Sequence, residues 1–377
     1  MKKLISLLLA STLFLSLCVC GSNALSEPDA SKLKTLLVTD SGDVDDGSFN
    51  QACFEAMKSF CEKNDIEYQY LQPENETTEA QLQAIRAGIA AGYHVVILPG
   101  YSFASAAVQA AQEFPEVRFV AIDVSKEDLD AAAGAEGFFA ANLCCVIYQE
   151  EIAGYLAGYA AVKLGYSKLG FLGGVDTPAV RRFGYGYAKG ADAAAAEVGE
   201  AIELRYAYAG TFVANDGITA QMNQWYTEGT QVVFSCGGGI FHSVAAAAAA
   251  NSGKMIGVDV DQRSLIDGEY GEGITVTSAM KGVQTTVTDI LTAIRLGLWA
   301  EYGGMTHSLG IISTVNTSLN YVQLPLESTQ WDYAFTQRDY LELVSGIDSG
   351  NVDVSVDPAA DQPQAERIRL VFEGTLG

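Results

Sequence analysis

The chain is short of the residues on which most metal and thiol chemistry rests. It has three histidines, His94, His242 and His307, and none stands at a usable ligand spacing from a second metal-binding type. Beyond Cys20 the cysteines are Cys53, Cys61, Cys144, Cys145 and Cys236, an odd set without a Cys-x-x-Cys pair. That pattern gives neither a disulfide framework nor a zinc site, and it reads as small buried apolar side chains. Positive charge is the next shortage. Against 46 Asp and Glu stand 22 Lys and Arg, a net charge of −24, which repels a nucleic-acid backbone and an anionic lipid surface alike. No Gly-x-Ser-x-Gly elbow, P-loop or His-Glu-x-x-His occurs. The Gly-rich stretch Phe183–Gly190 has the wrong third spacing for a dinucleotide loop and falls within an expected helix. Asp43, Asp45 and Asp46 lack the Gly and Glu of an EF-hand. These absences exclude nucleic acid as a partner and lead us to expect binding without turnover, with no cofactor and no metal.

What is present begins at the N-terminus. Lys2 and Lys3 precede an apolar run from Leu4 to Cys20 broken only by small hydroxyl residues, the layout of a secretory signal. An uncleaved membrane helix is the rival reading. Cysteine at the end of the run favours lipoprotein processing: Cys20 is followed by Gly21 and Ser22, a flexible start, although Val19 before it is bulky. Cys18, after Leu17, is the alternative. Residues 1–20 are therefore expected to be a lipoprotein signal peptide acylated at Cys20, and 21–32 a polar linker. The rest is expected on the extracytoplasmic face of the cell membrane, held by its lipid.

The remaining residues, about 345, suffice for two domains of ordinary size, and 49% apolar content supplies a full core. Strand-like and helix-like runs alternate. Leu33–Thr39, Tyr68–Leu71, His94–Pro99 and Arg118–Asp123 read as strands, separated by helical spacing over Ser48–Lys63, Thr78–Ala91 and Phe103–Gln112. After a helix over Tyr148–Leu164 a like series runs to Val260. Such βα units call for doubly wound parallel sheets, here in two lobes. Further on come a strand at Ile274–Ser278, a helix at Thr285–Trp299, an antiparallel-looking pair (Gly310–Val315 with Asn320–Gln323) and a helix at Asp339–Ile347. These are too few for a third lobe, so they complete the first two and the chain crosses between lobes more than once. We expect lobe 1 to hold 33–145 plus about 275–305, lobe 2 to hold 146–274 plus about 306–355, and 356–377 to form an extension. Two lobes on a multi-crossing hinge make a clamp.

In open parallel sheets ligands bind beyond the carboxyl ends of the strands. There the sequence places Asp40, Asp123 and Asp259, and glycines including Gly237-Gly238-Gly239. Each carboxylate can accept two hydroxyl donors, as a sugar diol presents them, though an Asp after a strand is also a common helix cap.

Asp45-Asp46-Gly47-Ser48-Phe49-Asn50-Gln51 resembles a segment of the basic membrane protein family, the substrate-binding lipoproteins of nucleoside ABC importers. Similar stretches follow in order: Val120–Asp123, Arg182-Phe183, Gly257–Gln262 and Thr277–Lys281. The resemblance spans about residues 35–355 and implies the type I periplasmic-binding-protein fold. It implies a nucleoside, purine by preference, as ligand, ABC permease and ATPase subunits as partners, and a monomer. Phe49 is similar to the ring that stacks on one face of the base, and Phe212 to its partner in the other lobe. Asn50 and Asp123 match groups that hydrogen-bond the base, with Asp40 beside them. Asp259 and Lys281 match the pair that holds the ribose hydroxyls, and Gly238 a close-approach glycine. Phe54, Ala56 and the shifted Asn215-Asp216 depart from the family pattern. A sugar, a signalling furanone or an adhesin role on the same fold are the alternatives.

Acylation is directly testable. A fatty-acid probe fed to cells should label the wild-type chain and leave Cys20→Ala unlabelled; equal labelling of both moves the lipid to Cys18 or removes it.

Overall fold

The computed structural model describes residues 33–40 and 42–376; Cys20, the signal peptide and the linker lie outside the described residues. The chain opens with β1 (Lys34–Val38), α1 (Phe49–Lys63), β2 (Glu67–Leu71), α2 (Thr78–Ala90), β3 (Val95–Pro99), α3 (Ala104–Glu113), β4 (Arg118–Ile122), α4 (Lys126–Ala133) and β5 (Leu143–Tyr148). It continues through α5 (Glu150–Lys163), β6 (Lys168–Gly173), α6 (Pro178–Val198), β7 (Glu203–Tyr208), α7 (Asp216–Thr227), β8 (Val232–Cys236), α8 (Phe241–Asn251), β9 (Lys254–Asp259) and α9 (Arg263–Tyr270). Last come β10 (Thr275–Lys281), α10 (Val283–Arg295), β11 (Thr306–Leu309), β12 (Val322–Gln323), α11 (Gln337–Asp348) and β13 (Arg369–Thr375).

Two sheets result, in the orders β11-β5-β4-β3-β1-β2 and β12-β10-β9-β8-β6-β7-β13. Every pairing is parallel except β12 against β10. Central strands such as β3 and β4 are buried along their whole length, as parallel strands covered by helices on both faces must be, so their sequences run apolar without alternation.

The chain crosses between lobes three times: at Gln149 between β5 and α5, at Gly282 between β10 and α10, and along 310–321 between β11 and β12. The crossings are laced together. Gln149 N donates to Leu309 O at 2.9 Å, Tyr321 N to Gly310 O at 3.0 Å and Gly282 N to Tyr321 O at 2.7 Å.

The expected division between lobes differs from this topology at three places. Residues 275–281 form a strand of the second sheet, 306–309 one of the first, and 369–375 pair in parallel with β7 instead of standing apart as an extension. Nor do 310–315 and 320–323 form an antiparallel pair. Asn320 Oδ1 accepts from the N–H groups of Ile312 and Ser313, and its Nδ2 donates to Ser313 O, so a side chain satisfies the backbone there and no ladder forms. Strand β5 and helices α4 and α9 also went unread.

Helices α5 and α6 meet backbone to backbone. A Cβ at Gly154 would run into the carbonyl of Phe183, and one at Gly186 into that of Glu151. Both glycines are needed for close approach, not for unusual dihedrals. Gly154→Ala or Gly186→Ala should therefore lower stability by about 1–3 kcal/mol despite better helix propensity. Gly268→Ala, on α9 with open space around it, should be neutral or slightly stabilising. Thermal melts of the three variants decide the matter.

Candidate functional site

The N-terminus of α1 sets the geometry of the cleft. Ser48 stands at the cap position, yet its side chain does not cap the helix. Asp46 takes over, accepting from the N–H groups of Ser48, Asn50 and Gln51 at 2.9, 3.1 and 3.1 Å, as a carboxylate suits a helix start. The Ser48 hydroxyl is thereby free to donate across to the other lobe, to Asp259 Oδ2 at 2.6 Å. One residue earlier, Gly47 O accepts from Gln262 Nε2 at 2.9 Å. The two most recognisable sequence stretches thus fasten to each other.

Behind this latch lies a cavity of about 500 Å³ between the lobes. All eight expected site residues line it: Asp40, Phe49, Asn50 and Asp123 from the first lobe, Phe212, Gly238 and Asp259 from the second, and Lys281 beside the Gly282 crossing. Asp123 and Asp259 adopt positive φ, 64° and 65°, a region Asp tolerates better than most residues. Phe212 needs small neighbours, since a Cβ on Gly174, Gly237 or Gly238 would press on it. Phe183, quoted for the resemblance but given no role, also lines the cavity.

Asn50 Nδ2 donates to Asp40 Oδ1 at 2.9 Å, and Gly42 N donates to the same oxygen at 2.8 Å. Asn50 Oδ1 and Asp123 Oδ1 are buried and have no hydrogen-bond partner among the described residues. Both are acceptors, so the site as it stands asks for donors. Burial pushes the carboxyls of Asp40 and Asp259 up to about 6, against relief from Asn50 and Gly42 in the first case and from Lys281 and Ser48 in the second.

Lys281 stands within ion-pair distance of carboxylates from both lobes. Its Nζ lies 2.6 Å from Asp123 Oδ2, in the other lobe, and 3.9 Å from Asp259 Oδ1. It also lies 3.6 Å from Glu150 Oε1 and 4.4 Å from the centre of the Phe49 ring. Burial disfavours the ammonium, but Asp123, Glu150 and Asp259 together outweigh it and hold its pKa above the ordinary lysine value. Glu150 escaped the sequence reading. It is fully buried on the first turn of α5 and pairs with Arg182 at 2.6 Å. The one available signal was Arg182, an arginine in a chain poor in cations.

The chain as a whole is similar to several known proteins. A model of the family described as ABC transporter substrate-binding protein, PnrA-like, matches residues 33–314. An ABC transporter nucleoside-binding protein of Lactococcus lactis is 30% identical over 318 residues, covering 78% of this chain and 82% of that protein. A CD4+ T-cell-stimulating antigen of Listeria innocua is 27% identical over 314 residues, with 78% and 83% covered. Among solved structures, a solute-binding protein of an ABC transporter system from Aeropyrum pernix superposes with a TM-score of 0.65 at 19% identity, covering 85% of this chain and 87% of that one. One from Conexibacter woesei gives 0.62 at 22% identity, with 85% and 98% covered. At those identities the likeness establishes the fold, the type I periplasmic-binding-protein clamp.

The raised carboxyls carry a pH signature. Between the usual 3.8 and about 6 the folded chain keeps protons on Asp40 and Asp259 that the unfolded chain has released. These two groups therefore favour the folded state at acid pH, and that contribution is lost as pH rises through about 6. Asn does not titrate, so Asp40→Asn and Asp259→Asn should each gain stability relative to wild type on going from about pH 5 to about pH 7. Urea unfolding midpoints at the two pH values test this; a difference that does not change with pH would refute it.

Proposed function

The chain belongs to the PnrA-like family of ABC transporter substrate-binding proteins, and from that premise we propose that it is a lipid-anchored receptor on the outer face of the cell membrane that captures a nucleoside, purine by preference, and hands it to an importer. The membrane-facing partners on this reading are the permease and ATPase subunits. No helix among the described residues is long and apolar enough to cross a membrane, and on the proposal the acyl chain at Cys20 does the anchoring. The named function of the Lactococcus lactis relative supports a nucleoside ligand.

The observation that carries the reading is the pair of orphaned acceptors in an aromatic cleft. Asn50 Oδ1 and Asp123 Oδ1 are buried without donors, and a purine edge offers N–H donors to both. Phe49 and Phe212 reach the cavity from opposite lobes, so a flat base between them touches both and is held fully only when the lobes are closed. A ligand shifts such an equilibrium through the contacts it gains on closure. Asp259 and Lys281 are assigned to the ribose hydroxyls. Lys281 already touches Asp123, so Asp259 is the main acceptor for the sugar, through the oxygen turned toward Lys281. Binding is proposed to leave the ligand intact, because among the described residues the cleft shows acceptors and an ammonium and no nucleophile hydrogen-bonded to a base.

Mass spectrometry of the protein as purified should show a nucleoside, recovered unchanged after prolonged incubation. In calorimetry, Phe49→Ala and Phe212→Ala should each weaken nucleoside binding by about 1–3 kcal/mol. Asp259→Ala should cost at least as much, by about 1–3 kcal/mol or more, because it strips an acceptor from buried donors. It should also erase the preference for a ribonucleoside over its 2′-deoxy form. Wild-type affinity for both forms in Asp259→Ala would remove the sugar from the second lobe.

A further inference from the structure

The cleft carries far more negative than positive charge, and the excess is not paired away. On its floor stand Asp40, Asp46, Asp123 and Asp259; at its mouth stand Asp43, Asp45, Glu76 and Asp176. Among the described residues lining it, Lys281 is the one lysine or arginine, and it is already engaged by Asp123 and by Glu150 from behind the cavity wall. Asp176 is held by Arg181 through two contacts at 2.5 and 2.7 Å. Among the described residues Asp43, Asp45 and Glu76 have no basic partner, and Asp40 and Asp46 receive N–H donors alone. Asp123 adds an oxygen with no partner on a side chain only 8% exposed. In a cavity walled by Phe49, Phe183 and Phe212 these charges are poorly screened, so their field is focused on whatever enters.

We infer that the cleft sorts its ligands by charge: it admits neutral nucleosides, favours those carrying a positive substituent, and turns away their phosphorylated forms. The inference rests on the nucleoside reading and specifies its substrate class. The physical cause is direct. A phosphomonoester would bring roughly two negative charges into a site whose one ammonium is spent, and like charges brought together at a poorly solvated site count against the wrong ligand. An ammonium entering the same space meets carboxylates that lack a basic partner, in a cavity whose walls include the aromatic rings of Phe49, Phe183 and Phe212, which also attract cations. It follows that nucleotides outside the cell become substrates only after hydrolysis of the ester by water, which leaves nucleoside and inorganic phosphate. A phosphomonoesterase-type reaction must precede capture.

Four ligands separate charge from size in calorimetry on the whole exported chain: adenosine, 5′-amino-5′-deoxyadenosine, adenosine 5′-monophosphate, and 5′-methylthioadenosine as a bulky neutral control. The amino compound should bind at least as tightly as adenosine, the methylthio compound within about tenfold of it, and the monophosphate at least about a hundredfold more weakly. Neutralising the mouth in Asp43→Asn/Asp45→Asn/Glu76→Gln should narrow the gap between adenosine and its monophosphate by about tenfold, and raised salt should narrow it further. Monophosphate binding within about threefold of adenosine would overturn charge selection while leaving the nucleoside reading intact. So would equal loss of the methylthio compound, or a triple variant that leaves the ratio unchanged, since either makes size the cause. Guanosine serves as a second parent nucleoside, and no binding of adenosine or guanosine at all would overturn the nucleoside reading and this inference with it.

Discussion

One buried ammonium organises the cleft. Lys281 is almost fully shielded from water, and a charge so placed persists only beside opposite charge. Its partners arrive from three directions: Asp123 from the end of β4 in the first lobe, Glu150 from the first crossing, and Asp259 from the end of β9 in the second lobe. Lys281 itself closes β10, one residue before the second crossing. Asp123 belongs to the first lobe and Lys281 to a strand of the second, so this ion pair joins the two lobes across the cleft.

The latch beside this cluster depends on a substitution of roles at the start of α1. A serine at a helix cap usually bonds to the N–H groups of its own first turn. With Asp46 occupying those donors, Ser48 reaches Asp259 instead, and Gln262 holds Gly47 from the other side. Gln262 also accepts from Val258 N, so the loop that carries Asp259 is braced at the point where its backbone turns left-handed. Helices α5 and α6 meet backbone to backbone in the second lobe, and the three crossings that join the lobes are tied to one another by backbone hydrogen bonds.

Much of the architecture was legible beforehand because parallel strands and amphipathic helices announce themselves locally. The strands at 95–99 and 118–122 and the helices at 49–63 and 78–90 are found within a residue or so of where their patterns placed them. The eight cleft residues were legible for a different reason: strand ends face the ligand in this class of sheet, and the resemblance singled out side chains among them. Leu143–Tyr148 went unread because its apolar run abuts a helical one, and periodicity does not divide two adjacent buried segments. Arg369–Thr375 looked like a tail because it is amphipathic and only half-buried at a sheet edge. Glu150 stayed hidden because an acid in the first turn of a helix is commonplace on electrostatic grounds.

What the amino-acid order determined by itself was the inventory: alternating elements, an acidic surface, scarce thiols and histidines, and carboxylates at strand ends. Each of these depends on neighbours a few positions away. Tertiary structure decided which sheet receives the strands at 275–281 and 306–309, which carboxylate lies nearest Lys281, and that Ser48 bonds across the cleft. Those outcomes join residues such as Ser48 and Asp259, or Asp123 and Lys281, that lie more than a hundred positions apart. The free energy of a buried ion pair or a strand pairing depends on the complete fold around it, and no local period encodes it.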